Sequence, residues 1–238
     1  KTVAEVTYTG KANHNVTIRT NGGKLTVKDE TKSKQYFYGA LAEADITTGN
    51  ECFYAFGTIA KATVKAGKVV AEKGAVIIVS AAESNATVNK NGGIVLAESG
   101  KPIGNNVELS TNEEKSAYTL EISTAAQLAT FRDAVNSGMT YDGLTVKLTA
   151  DIDLNGYCTG TRGWTPIGVY KNAAYGFTSA TSFNGVFDGN GKTVSNLLIT
   201  TNDTEQIYGA LFGNINHATI KNLTVNGNVY GTDIAGVI

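Results

Sequence analysis

The sequence predicts an all-β fold wound as a β-solenoid, and three observations carry that expectation. The composition favours strands and tight corners: Thr, Val, Asn and Gly (27 of 238 residues) are abundant, while Pro is 2 and Met is 1. Thr and Val fit a pleated strand, and Asn and Gly tolerate the positive φ that tight turns need. The chain also repeats itself, in two different ways in its two halves. Finally, the repeats consist of short apolar-polar runs closed by Asn/Gly corners. A single short coil cannot bury its apolar side chains, whereas stacked coils pair every strand with the next and share one core.

The C-terminal repeat is the clearer one. Thr193-Val194-Ser195-Asn196-Leu197-Leu198-Ile199 aligns with Thr219-Ile220-Lys221-Asn222-Leu223-Thr224-Val225, an offset of 26 residues (193 to 219). The same offset places Ala210-Leu211-Phe212 on Gly236-Val237-Ile238. Stacking at this period puts Leu197 over Leu223, Ile199 over Val225, and Asn196 over Asn222 as a corner amide ladder. In the N-terminal half, Asn15 to Gly23 resembles Asn85 to Gly93 at an offset of 70 (15 to 85), read as three coils of about 23 residues. Ala62-Thr63-Val64 before Ala86-Thr87-Val88 serves as an intermediate copy. About ten coils at strand spacing would span roughly 50 Å.

A helix interrupts the pattern at 124–137. Thr124-Ala125-Ala126-Gln127 has capping-box form, Leu128, Phe131 and Val135 share one face, and Gly138 supplies the stop. The expected task of this helix is to cap an end or side of the second solenoid segment. The polar run Ser110 to Ser116 just before it reads as a linker, which divides the chain into 1–112 and 113–238.

Charge and composition narrow the function classes. Charged residues make up 17% and the formal net charge is -1, with only three arginines (Arg19, Arg132, Arg162). That balance argues against a nucleic-acid partner, which calls for a basic patch or stripe. No run is long and apolar enough to span a membrane as a helix. The missing initiating Met and signal peptide suit a mature or trimmed chain. The two cysteines, Cys52 and Cys158, leave both a disulfide and two separate buried thiols open.

From about residue 119 onward the sequence resembles the module of bacterial surface proteins that bear the GLUG motif. The resemblance rests on Ile122 to Leu128, Leu148 to Leu154, Trp164 to Gly168 and Phe183 to Val194. The motif itself falls at Gly209-Ala210-Leu211-Phe212-Gly213, with Gly209, Leu211, Phe212 and Gly213 as its defining positions. A second copy starts at Gly236-Val237-Ile238, which suggests a chain cut from a longer array. The resemblance implies a right-handed parallel β-helix, export and a place at the bacterial cell surface, with no shared catalytic residues to carry over. Residues 113–238 are then a GLUG-type module and residues 1–112 the accompanying coils.

No catalytic constellation, cofactor or metal site is expected. Asp151-Ile152-Asp153-Leu154-Asn155-Gly156 opens like a calcium loop, but Arg162 stands where the bidentate Glu belongs. Ile152 and Leu154 alternate with the acids, as in a half-buried strand. Asp188-Gly189-Asn190-Gly191 reads as a tight turn. His14 and His217 fall in different modules with no Ser or Cys partner, and His217 sits in a corner sequence. The best-defined coils show no stack of carboxylates of the kind a glycosidase needs. Aromatic residues offer the binding hint. Tyr170, Tyr175 and Phe177 lie in a Gly/Ala/Ser/Thr-rich insertion, and Tyr36-Phe37-Tyr38 and Cys52-Phe53-Tyr54-Ala55-Phe56 form two further clusters. Exposed rings can cover the apolar face of a sugar while their hydroxyls stay wet. The expectation is a non-catalytic, elongated extracellular surface protein or adhesin with Tyr170, Tyr175 and Phe177 as ligand contacts. The alternative is a carbohydrate-binding module of a polysaccharide-processing protein. Glycans, or proteins of host or other cell surfaces, are the expected partners.

Overall fold

The computed structural model describes residues 5–10, 14–29, 31–98, 103–158, 163–169, 180–200, 208–230 and 234–235. The chain divides into two compact units, Lys1–Lys115 and Ser116–Ile238. Among the described residues the ladders between strands are parallel, with antiparallel pairing only at isolated bridges, and the fold is a β-solenoid of about 5 turns.

The first unit holds β1 (Glu5–Gly10), β2 (Val16–Asn21), β3 (Lys24–Asp29), β4 (Gln35–Leu41), β5 (Glu43–Ala55), β6 (Thr58–Glu72), β7 (Val76–Ala82), β8 (Ala86–Asn91) and β9 (Ile94–Ala97). Glu5 lies beside Lys24 and Lys24 beside Glu43; Thr58 lies beside Val76 and Val76 beside Ile94. The coil is therefore 18 or 19 residues at most pairings, shrinking to 16 where Cys52–Ala55 meets Lys68–Ala71. Inward columns build the core: Val27, Ile46 and Val64 stack and are buried, as are Leu25, Ala44 and Ala62. The column Val16, Gln35, Phe53, Val69, Val88 is apolar except at Gln35.

These ladders correct the expected N-terminal period. Val16 reaches Val88 in four steps (16, 35, 53, 69, 88) rather than three coils of about 23. Ala62-Thr63-Val64 pairs with Val79, Ala81 and Ala82, whereas Ala86-Thr87-Val88 pairs with Gly67-Lys68-Val69. The proposed intermediate copy thus belongs to a different face of the coil. Its Ala-Thr-Val pattern reports only that both segments are strands.

Residues 112–117 form α1 (Asn112–Ala117), so the expected linker is in part a helical turn, with Thr111 Oγ1 accepting from the Glu114 N–H. The second unit continues with β10 (Thr119–Ile122), α2 (Ala125–Asn136), β11 (Thr145–Leu148), β12 (Ile152–Asp153), β13 (Val186–Thr200), β14 (Tyr208–Gly209), β15 (Thr219–Tyr230) and β16 (Ile234–Ala235). The capping box at Thr124 and Gln127 is formed, and Gly138 takes φ 107° just past the helix end. α2 is more than a cap: it connects the parallel pair β10 and β11 and buries Leu128, Phe131 and Val135. Phe131 packs against Tyr141, Phe183 and Phe187, with ring centroids 5.0, 5.5 and 5.9 Å away.

The 26-residue stacking of Asn196 on Asn222 is also corrected. Thr193 lies beside Thr224, Leu197 beside Gly227 and Ile199 beside Val229, while Leu223 lies beside Lys192. Residues 189–191 bulge opposite the single residue Asn222, and residues 195–196 opposite Asn226. Asn196 and Asn222 are therefore on different corners. Among the described ladders the offset of 26 holds between β10 and β11, where Thr119 pairs with Thr145 (119 to 145), and between β14 and β16, where Tyr208 pairs with Ile234 (208 to 234); residues 236–238 lie outside the described residues.

Candidate functional site

Strand alternation in the first unit sends Phe37, Phe53 and Ala55 inward, all fully buried. It sends Tyr36, Tyr38, Tyr54 and Phe56 to the opposite face, half-buried. Tyr36 is in register with Tyr54, and the Phe56 N–H donates to the Phe37 carbonyl, which sets Phe56 beside Tyr38. The rings stack accordingly: Tyr36–Tyr54 at 5.4 Å and Tyr38–Phe56 at 4.9 Å between centroids, with planes 14° and 11° apart. Tyr36 also approaches Phe56 at 6.5 Å. The Arg19 guanidinium closes one end, 4.4 Å from the Tyr38 ring centre. Four aromatic side chains from two adjacent coils thus form one outward block.

Two glycines let the backbone pass close beside this block. A Cβ on Gly39, whose φ is 131°, would lie 2.0 Å from the Thr20 carbonyl oxygen, and one on Gly57 would lie 2.1 Å from the Gly39 oxygen. Any side chain at either place would push neighbouring coils apart and unstack the rings. Burial pushes the Tyr54 hydroxyl up to about 12, helped by its hydrogen bond with Cys52 and the nearness of Tyr36 and Glu51. It stays a neutral hydrogen-bonding group at physiological pH. Cys52 and Cys158 are both unbonded and half-buried.

The polar surroundings follow from the same register. Thr17 and Arg19 precede the rings, and Lys34 and Lys68 flank them, Lys68 in register with Cys52. Val70, Asn89, Glu72 and Asn91 follow, with Asn91 Nδ2 donating to Glu72 Oε2 at 2.7 Å. On another outward face, Lys24 pairs with Asp45 at 2.9 Å, and Lys61 and Lys65 reach Glu43 and Asp45 at 3.6 and 3.7 Å. Those charges satisfy one another and leave little field for a ligand.

A second polar group is internal. The buried Asp29 carboxylate accepts from the Thr31 N–H (2.7 Å) and hydroxyl (2.6 Å) and from Gln35 Nε2 (2.5 Å). Burial, with Asp29 beside it, raises the pKa of Tyr8. A Cβ on Gly10 would stand 2.3 Å from Asp29 Oδ1. The first turn is thus built around a hydrogen-bonded carboxylate, a feature the sequence reading missed because Asp29 looks like any strand-end acid.

The residues singled out from sequence meet different fates. Tyr170, Tyr175 and Phe177 lie outside the described residues. Leu211 and Phe212 of the motif are core: Phe212 packs on Phe183 and Phe187 at 5.8 and 5.1 Å. The Leu211 carbonyl accepts from the Ile167 N–H and from Trp164 Nε1. Gly213 donates to the Ile167 carbonyl, and a Cβ there would lie 2.6 Å from the Gly168 oxygen. Gly209 pairs with Ala235. The motif packs a chain segment against residues 164–168.

The acids of 151–156 serve the corners. Asp151 accepts from the Thr193 N–H, and Asp153 from Asn196 Nδ2 and the Asn155 N–H, each at 2.8 Å, while Ile152 and Leu154 are buried. Asp188 likewise accepts from the Asn190 N–H and Asn222 Nδ2. Asn190, Asn196 and Asn222 all take left-handed φ (51°, 57° and 54°), as does His217 (54°), which is exposed. Among the described residues no group of three His, Cys, Asp or Glu side chains could hold a metal ion, and no helix is long and apolar enough to cross a membrane.

No model of a known protein family matches the chain, and neither a curated protein nor a solved structure is similar to it.

Proposed function

We propose that the chain is a non-catalytic, extracellular surface protein of a bacterium, a β-solenoid scaffold that presents a binding surface. The observation behind this reading is the outward block of Tyr36, Tyr38, Tyr54 and Phe56, stacked across two coils over a core of Phe37 and Phe53. Half-buried aromatics with an Arg on the rim have the composition of binding hot spots. A solenoid suits such a role, because each outward side chain recurs at strand spacing and builds extended binding surfaces. Surface location and GLUG-type membership of residues 113–238 remain part of the same proposal. They are supported by Gly209 to Gly213 and the segments that precede them in that module's order. The runner-up is a carbohydrate-binding module of a polysaccharide-processing protein, favoured by the same aromatic block.

The test is location and inertness. Antibodies to this chain should label intact native cells, and brief protease treatment of those cells should remove the signal. Labelling only after lysis would overturn the surface reading. Release of new reducing ends from polysaccharides by the purified chain would overturn the non-catalytic one.

A further inference from the structure

We propose that the aromatic face of the first unit binds an acidic glycan, a chain of pyranose rings bearing carboxylates, laid across neighbouring coils; this rests on the reading of the chain as a binding scaffold. Ring geometry is the first reason. Centroid separations of 4.9 and 5.4 Å exceed direct face contact at about 3.5–4.0 Å, so the rings are slipped like tilted tiles. Each ring is half-buried, and its exposed part offers apolar surface that the C–H side of a sugar ring can cover. The step between rings equals the step between coils, close to the length of one pyranose residue in an extended chain. A glycan lying along the stacking direction would then meet two successive rings of a column, Tyr36 then Tyr54 or Tyr38 then Phe56.

Hydrogen-bonding groups are the second reason. The columns holding the rings begin at Thr17 and Arg19 on one side and, past Val70 and Glu72, reach Asn89 and Asn91 on the other; Thr17, Asn89 and Asn91 are side chains suited to sugar hydroxyls. The Tyr36, Tyr38 and Tyr54 hydroxyls belong to the block itself. Charge is the third. Arg19, Lys34 and Lys68 frame the rings, against Glu51 and Glu72, and Glu72 is already engaged by Asn91. Arg19 is held over Tyr38, so its guanidinium is pre-placed to take a carboxylate at the rim. A peptide would also find hot-spot residues here. The alignment of ring step with coil step, however, favours a polymer whose units repeat at that same length.

The full chain should be titrated calorimetrically with a defined oligouronate and, separately, with a neutral glucan oligomer of equal length. Binding of the oligouronate that weakens as salt rises is expected, with the neutral oligomer clearly weaker. Tyr54→Ala should weaken oligouronate binding by about two- to tenfold through lost ring contact. A combined Arg19→Gln, Lys34→Gln, Lys68→Gln variant keeps every ring and should lose about tenfold in total and most of the salt dependence. Equal binding of both oligomers, or oligouronate binding unchanged in both variants, would overturn the proposal. So would the absence of oligouronate binding by a chain whose circular dichroism shows native β content. None of these results would touch the scaffold reading, which is tested by the intact-cell labelling and by the assay for new reducing ends.

Discussion

In the first unit almost every strand residue has a counterpart 18 or 19 positions away, whereas in the second the step is 26 between β10 and β11 (Thr119 to Thr145), 41 between β11 and β13 (Thr145 to Val186), and drifts from 33 (Val186 to Thr219) through 31 (Val194 to Val225) to 30 (Ile199 to Val229) between β13 and β15. Short equal coils keep their register by stacking inward side chains into one continuous core: Val16, Gln35, Phe53 and Val69 share a column that is apolar at every place but Gln35. Long unequal coils need other devices. The second unit uses a helix packed by aromatic rings, and carboxylates that reach from one coil to a left-handed Asn on the next, Asp153 to Asn196 and Asp188 to Asn222. Regularity comes from core shape in one unit and from corner chemistry in the other.

The contrast can be broken from the second unit first. Phe131→Ala removes the ring shared by Tyr141, Phe183 and Phe187 and should cost about 3–5 kcal/mol. Trp164, the single tryptophan and itself buried, reports on this unit in fluorescence-monitored urea unfolding. A fall in that transition with hydrogen exchange of β3 to β7 unaltered is expected. Loss of protection in both units together would mean that they do not differ in what holds them.

Asp29→Ala is the matching cut in the first unit. It leaves the Thr31 and Gln35 donors facing a buried void, at about 2–4 kcal/mol. Faster exchange of β1 and β3 amides with the Trp164 transition unchanged is the expected readout. Smaller effects belong to the corners. Asn222→Ala should cost about 1–2 kcal/mol, because a left-handed backbone suits Gly and Asn better than Ala. Asn222→Gly keeps the backbone and loses only the bond to Asp188, so it should fall between wild type and Ala in the same unfolding assay. Equal losses for Ala and Gly would show that backbone strain is irrelevant there.

Acid gives the mildest perturbation. Asn196, with the Asn155 N–H, holds Asp153 below the usual carboxylate range, and the Asn190 N–H, with Asn222, does the same for Asp188. Such groups contribute fully above the unfolded value of about 3.9 and lose that contribution as pH falls through their still lower folded values. The Trp164 transition should therefore begin to weaken only below about pH 4. Weakening that starts near pH 6 would point to groups other than these two.

How much of this was legible depends on the signal involved. The helix was read to within a residue because Thr124, Gln127 and Gly138 act locally, through hydrogen bonds and φ preference that any surroundings would respect. Asp188 to Gly191, a tight turn by sequence, is a bulge inside β13 with left-handed φ at Asn190 and Gly191, and the strand expected around 151–154 is the two-residue β12; in both, only the local preference was legible. The coil length was not. Asn-Gly-Gly at 21–23 and 91–93 was matched as one corner, yet Asn21 stacks through Ala40, Thr58 and Val76 to Ile94. Corner residues slide along a coil freely, while the inward columns that set the register vary in identity. Asn196 and Asn222 misled in the same way, each a left-handed corner but on different bends. The aromatic block was within reach: Tyr36 and Tyr38 precede Tyr54 and Phe56 by the coil length of 18, but a period near 23 hid the match.

The central claim is vertical register at 18 or 19 residues, and a cysteine-pair experiment tests it most directly. In a background of Cys52→Ala and Cys158→Ala, Thr26→Cys with Asp45→Cys places two thiols on paired residues of β3 and β5. Neighbouring strands lie about 4.8 Å apart, within the Cα separation a disulfide accepts. Thr26→Cys with Gly49→Cys represents the 23-residue alternative. Mild oxidation should close the first pair, seen as a loss of about 2 Da and a reductant-sensitive shift in gel mobility, and leave the second open. Closure of the second pair in preference to the first would contradict the register on which the fold, the aromatic block and its proposed ligand all rest.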